Sequence, residues 1–264
     1  MTTHTVIKKS FLTCLLLWAV NVFAQAPSRT LINKAFQRGE VLKYRLHYGV
    51  FDAGTATLNI QNENKIINGH SSYHVIGIGE TRGTANLFYK VYDRYETFID
   101  EQSISPLMFV RRVDEGGYKI KQDIVFDQEY HVINSNGKQF HNQPDYIQDM
   151  LSAFYYARTF PFDNETPGKV DSFTCFVDDK VWTLKIKFVR YDTLKSSVGK
   201  VRCMVFEPIV QTGRIFKKSE DLQVWISDDN NHIPLRAQAN ILVGSIRMDL
   251  VSYSGLVSDF DKLK

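Results

Sequence analysis

Asp145-Tyr146-Ile147-Gln148-Asp149-Met150-Leu151-Ser152-Ala153-Phe154-Tyr155-Tyr156-Ala157-Arg158 is the one long helical reading in a chain that otherwise reads as strands. Ile147, Met150, Leu151 and Phe154 fall at i, i+3, i+4 and i+7, one face of a helical period. Asp145 with Gln148 three residues on has the pattern of a capping box. Pro144 suits a helix entry, and Pro161 stops the run. Asp149, Ser152, Ala153 and Tyr156 make the opposite stripe. The expectation is one main helix over 145–158 that plugs a curled antiparallel sheet.

Outward from this stretch, both flanks alternate with a period of two. On the N-terminal side Leu42, Tyr44, Leu46, Tyr48 and Val50 alternate with Lys43, Arg45, His47 and Gly49, so one face is buried and one wet. Asp52-Ala53-Gly54 turns the chain into a return strand over 55–61. Further strands are expected over 71–80, 91–99, 107–113, 118–126 and 130–134, with a short helical turn in 84–90. Ser105-Pro106, Glu115-Gly116-Gly117 and Asn136-Gly137 punctuate them. Residues 27–35 read as a loose leader.

Beyond the helix, Trp182, Leu184, Ile186 and Phe188 alternate with Lys185 and Lys187. Strands follow over 201–210, 222–226, 235–243 and 245–253. The spacing is that of an all-β protein, and no long repeat marks a solenoid or propeller. A sheet of this length must curl or close. The fold class is therefore all-β with one main helix: a half-open roll or barrel, its helix packed on the concave side. Residues 139–168 form the natural seam between two sheet halves of a single β-rich domain over 25–264.

The first residues read as a targeting signal. Lys8 and Lys9 form a basic n-region, 11–23 is apolar, and Val22-Phe23-Ala24 offers a cleavage site, giving a signal peptide over 1–24. The apolar run falls short of the roughly 20 residues a membrane span needs, so an uncleaved signal anchor is the weaker rival. Phe11-Leu12-Thr13 before Cys14 is a poor lipobox. The chain has 32 basic and 29 acidic residues. Losing the two signal lysines leaves a formal charge of +1, which gives no support for nucleic acid as a partner. The mature chain carries no expected transmembrane span. Its location is expected to be periplasmic or outer-membrane-associated.

No motif for chemistry emerges. HExxH, HxH, GxSxG, GxxxxGK[ST] and a βαβ-borne GxGxxG are all missing, so no catalytic residue, metal ligand or cofactor is assigned. Tyr92-Asp93-Arg94-Tyr95-Glu96 puts its carboxylates on opposite strand faces, which suits cross-strand ion pairing better than acid–base work. Cys175 and Cys203 leave two readings open, an exported disulfide or two buried thiols.

The remaining candidates surround the helix. Asp149, Ser152, Tyr156 and Arg158 either tie helix to sheet or face a pocket. Asp149 and Arg158 stand too far apart on the helix to pair. Phe88, Tyr92, Phe154 and Tyr155 either line an apolar cavity for a lipid-like ligand or simply fill the core.

Three motifs carry a family resemblance: Phe36-Gln37-Arg38-Gly39-Glu40-Val41-Leu42-Lys43-Tyr44 with Gly49, Ala53, Gly54 and Ala56; Asp149 to Arg158; and Leu222 through Asp229, Ile233-Pro234-Leu235 and Gly244-Ser245-Ile246. In this order they resemble domain of unknown function 3108, an exported bacterial family. The resemblance implies a curled β architecture at the periplasm or cell surface of Gram-negative bacteria, with no assigned activity. It also marks Asp149, Ser152 and Arg158 as special positions. The architecture is similar to that of periplasmic lipoprotein carriers, which hold acyl chains under a helix. The functional expectation is an envelope protein that binds an apolar ligand or an envelope partner protein. The alternative is an interaction module with a filled core.

Overall fold

The computed structural model describes residues 29–163, 165–209, 222–240, 244–260 and 262–263. The signal segment 1–24 and Cys14 lie outside the described residues. Fifteen strands form one sheet. They are β1 (Val41–Tyr48), β2 (Phe51–Ile60), β3 (Lys65–Ile67), β4 (His70–Thr81), β5 (Val91–Asp100), β6 (Pro106–Glu115), β7 (Tyr118–Asp127), β8 (Val132–Ser135), β9 (Lys138–Phe140), β10 (Val170–Val177), β11 (Lys180–Ser196), β12 (Gly199–Ile209), β13 (Leu222–Ser227), β14 (Pro234–Asn240) and β15 (Ser245–Ser254). Two helices are described, α1 (Ala85–Phe88) and α2 (Ser152–Arg158).

The strand order is β10-β11-β12-β13-β14-β15-β1-β2-β4-β5-β6-β7-β8-β9, with β3 pairing β4. Every ladder between these strands is antiparallel, as short connections dictate. The first and last strands of the chain's meander, β1 and β15, pair in the middle of this order, which wraps the sheet into a roll. Among the described residues no ladder joins β9 to β10, so the roll is not closed. The alternation read from the sequence fits its best example: Leu42 and Tyr44 are buried while Lys43 and Arg45 are exposed. Gly54 permits the close approach of β2 to β4, because a Cβ there would run into the Glu80 carbonyl.

Directly opposite residues in a ladder share a face. One face carries Ile60, Val75, Thr97, Phe109 and Ile124 in a single row across five strands. These residues pack with Phe36, Ile147, Leu151 and Tyr155, so this is the concave face on which α2 lies.

The helix is shorter than its sequence predicts. Tyr146 sits at φ 52°, outside helical geometry. The Gln148 backbone pairs with the outer edge of β10: its N–H donates to Thr174 O at 2.9 Å, and Phe176 N–H donates to Gln148 O at 2.7 Å. A residue committed to a strand edge cannot also serve an α-turn, so the helix begins at Ser152 rather than Asp145. The leader is likewise not loose where it is described. Leu31 N–H donates to Gln102 O, and Ala35 and Phe36 are buried.

Candidate functional site

One end of the roll is sealed at a single buried node. Arg158, 2% exposed, closes α2. Its Nη1 and Nη2 donate to the two carboxylate oxygens of Glu40 at 2.6 and 2.8 Å. Nη2 also donates to Ala35 O at 2.8 Å, and Nε donates to Asn231 O at 3.0 Å. The guanidinium lies over the rings of Phe36, Phe154 and Tyr155. His232 Nδ1 donates back to Arg158 O at 2.7 Å. The three sequence motifs thus meet at one point: Ala35 to Glu40, the helix, and the Asn231-His232 turn.

Burial opposes the Arg158 charge, but Glu40 outweighs it and holds the guanidinium above its usual range. Burial also raises the Tyr44 and Tyr155 phenols beside the pair, and Arg158 only partly offsets this. Every arm of the guanidinium has a partner, which makes this a tie between elements and no chemical centre.

Asp149 caps the helix. Its Oδ1 accepts the N–H groups of Leu151 at 2.7 Å and Ser152 at 2.8 Å, while Asp149 N–H donates to Ser152 Oγ at 2.8 Å. Asp149 O accepts the Ala153 N–H. This reciprocal pattern is the capping box, four residues later than the one read at Asp145. Thr97 Oγ1 donates to Asp149 Oδ2 at 2.6 Å, tying the cap to β5. Burial pushes the Asp149 carboxyl up to about 6, against the pull of those hydrogen bonds.

The sequence candidates therefore separate. Asp149, Ser152, Tyr155 and Arg158 are brought together, but all are buried. Phe154 and Tyr156 are half-buried, and Tyr156 Oη accepts Arg29 Nη1 at 3.2 Å. Phe88 and Tyr92 do not line a space under the helix. Phe88 is 89% exposed on α1, and Tyr92 lies opposite Glu80, on the face turned away from α2. Cys175 and Cys203 are free buried thiols, both pushed up to about 12 by burial. They oppose Trp182 and Asp192 on either side of β11, which puts them roughly 30 Å apart along the strand. That distance is far beyond a disulfide. The partners of Arg158 were not legible: Glu40 stands in the first motif and Asn231 in a turn between two pieces of the third, but nothing local links them to the helix.

Above the plug the concave face changes character. Past the row of Leu42, Leu58, Gly77 and Tyr95, where Leu151 still reaches Gly77, come Tyr44, Ala56, Gly79 and Asp93, and then Phe206, Val224, Ala237, Met248, Leu46, Gly54 and Thr81. Leu46, Ala56, Val224, Ala237 and Met248 are half-buried, whereas Ile60 and Val75 below are closed from solvent. A Cβ built on Gly79 would meet no atom within 4 Å. The rim row holds Leu222, Ala239, Ile246, Tyr48 and Phe51. The upper half is thus a largely apolar trough, with Asp93 and Thr81 as its polar members, small side chains on its floor and its mouth at the end opposite Arg158.

Where the sheet's two ends face each other, the β10–β11 turn reaches β6, β7 and β8. Arg111 donates to Asp178 at 2.7 Å, while Gln122 and Ser135 donate to Asp179 at 3.0 and 2.7 Å. With Lys121 these line a polar groove of about 320 Å³. Its two cations face two carboxylates, so the groove is balanced in charge. Among the described residues no group of three or more His, Cys, Asp or Glu is placed to hold a metal ion. Among them no helix is long and apolar enough to cross a membrane.

A family model described as a protein of unknown function, DUF3108, matches residues 43–251. A search of curated proteins found no match. Among solved structures, a β-barrel-like protein of DUF1849 from Brucella abortus matches with a TM-score of 0.57 at 11% identity, over 83% of this chain and 98% of its own. A lipoprotein candidate from Parabacteroides distasonis covers 86% of this chain and 100% of its own, at 10% identity and a TM-score of 0.35. An exported-protein candidate with a YmcC-like fold from Bacteroides fragilis covers 86% and 99%, at 11% identity and a TM-score of 0.32. The first of these likenesses bears on the fold: a β-barrel-like roll.

Proposed function

This chain belongs to the DUF3108 family of proteins of unknown function, and on that premise we propose that it is an envelope protein whose roll takes an apolar, acyl-chain-like ligand. The observation that carries the reading is the gradient along the concave face. The row beside α2 is closed and packed, while toward the open end Leu46, Ala56, Val224, Ala237 and Met248 stay apolar yet half-exposed. A face meant for water alternates apolar with polar groups. Here the charged groups of the same strands, Arg45, Arg236 and Asp249, point the other way, where Arg236 pairs with Asp249 and Arg45 lies near Asp52. An apolar trough with one sealed end suits a chain-shaped ligand inserted tail first. The expected signal peptide supports an envelope location.

The test is binding of cis-parinaric acid by the mature protein, followed by fluorescence and by native mass spectrometry. Stoichiometric, saturable binding is expected. Gly79→Phe puts a ring into the trough where a Cβ meets nothing, so it should fold as before by circular dichroism and weaken binding by roughly tenfold or more. Absence of binding in the unmodified protein would move the reading to an interaction module with a filled core.

A further inference from the structure

Among the described residues, the three most exposed large apolar side chains gather at the mouth, with Phe51 beside them; Ile32, 80% exposed, lies apart in the leader. Phe88 is 89% exposed, Val50 88%, Leu87 82% and Phe51 71%. They sit on two neighbouring connections. Val50 lies in the β1–β2 turn and Phe51 opens β2, while Leu87 and Phe88 belong to α1, which follows β4. The two are adjacent because Gly54 lies opposite Thr81 and Arg82 N–H donates to Ala53 O at 3.1 Å. No residue of α1 is buried, so packing does not explain its leucine and phenylalanine. What fixes α1 is its flank: Tyr89 Oη donates to Glu115 O at 3.2 Å, and its ring rests on Gly116 of the β6–β7 turn.

We propose that these tips dock the open end of the roll onto a lipid bilayer surface. The four side chains present on the order of 500 Å² of apolar surface, from the 150–250 Å² an aromatic side chain offers. That matches the largest apolar patch of a typical soluble monomer, about 300–600 Å², a feature that is often functional. It falls short of the roughly 800 Å² that a stable protein interface takes from each partner. The tips are carried by a turn and a one-turn helix rather than by a broad strand or helix face. A bilayer needs neither the larger area nor a matching shape. Tyr48, Tyr89 and Tyr92 stand just behind the tips, the level at which phenols sit between acyl chains and water. The rim row of Tyr48, Ile246 and Ala239 then runs without a polar break from the docked tips into the trough. The choice of lipid as partner rests on the ligand reading above in this one respect.

The test is flotation of the mature full-length protein with vesicles of phosphatidylethanolamine and phosphatidylglycerol. It is run beside cis-parinaric acid binding in vesicle-free solution. The triple variant Val50→Ser, Leu87→Ser, Phe88→Ser changes only exposed side chains. The expected result is that the unmodified protein floats, the triple variant loses most of its vesicle-bound fraction, and both bind the probe equally. Flotation of the triple variant, or no flotation of the unmodified protein, overturns the docking proposal; retained probe binding in either case leaves the ligand reading standing. A dimer in solution that the triple variant lacks also overturns it, because the tips would then cover a second copy. Leu87→Cys carrying an environment-sensitive dye gives an independent readout. A blue shift on adding vesicles is expected, and an unchanged spectrum counts against docking.

Discussion

Arg158 shows how a charge is made tolerable inside a protein: each guanidinium nitrogen has an oxygen to meet, and three aromatic rings cover it. Glu40→Gln removes the countercharge and strands the cation, which should destabilise the protein by about 3–5 kcal/mol. Replacing both partners together, Glu40→Leu with Arg158→Met, removes the stranded charge and should recover much of that loss. Urea unfolding of the single and double variants measures both. Asp149 offers a pH readout. Its usual value is 3.8 and burial lifts it to about 6. Between those values the folded chain holds a proton that the unfolded chain has released, so stability falls as pH rises from about 4 to about 6 and is flat above. The drop should approach about 3 kcal/mol at 1.36 kcal/mol per pH unit. Asp149→Asn keeps the acceptor for Leu151 and Ser152 and should flatten that slope in unfolding curves taken at several pH values.

At the scale of elements, α2 is too short to be stable alone, and its existence is a packing result. The 3.6-residue pattern across 145–158 reported burial correctly at Ile147 and Leu151, yet it could not show that Gln148 pairs with a strand edge. Met150, placed on the buried stripe by the same pattern, is 43% exposed. The turn between β10 and β11 is a second such element. Asp178 and Asp179 take φ 50° and 58°, the left-handed pair that a two-residue hairpin demands. Asp179 is held there by Gln122 and Ser135. Asp179→Ala loses both bonds and adds backbone strain, so it should cost about 2 kcal/mol; Asp179→Gly loses the bonds only and should cost about 1 kcal/mol. Thermal melts of the two variants check the order, and Ala above Gly in stability would contradict it.

For the whole molecule, period-two alternation was enough to read most strands, because each has one face against the concave core and one toward water. The roll and its plug followed from the number of strands and the single helical stretch. The candidate site was only half legible. Asp149, Ser152 and Arg158 were picked out by the helix, but their partners Thr97, Glu40 and Asn231 come from strands and turns far away in the chain. The trough was not legible at all, since it depends on register: Ala56, Gly79, Ala237 and Met248 become neighbours only once four ladders have formed, one of them between β1 and β15 from opposite ends of the fold. The node at Arg158 has a further consequence in time. Glu40 and Arg158 are 118 residues apart in the chain, and Asn231 comes 73 later. Contacts of such separation form late, after the closure entropy of long loops has been overcome, and they slow folding. A chain emerging N-terminus first cannot complete this lock until Asn231 has appeared, so its early strands stay threadable for nearly the whole of its synthesis.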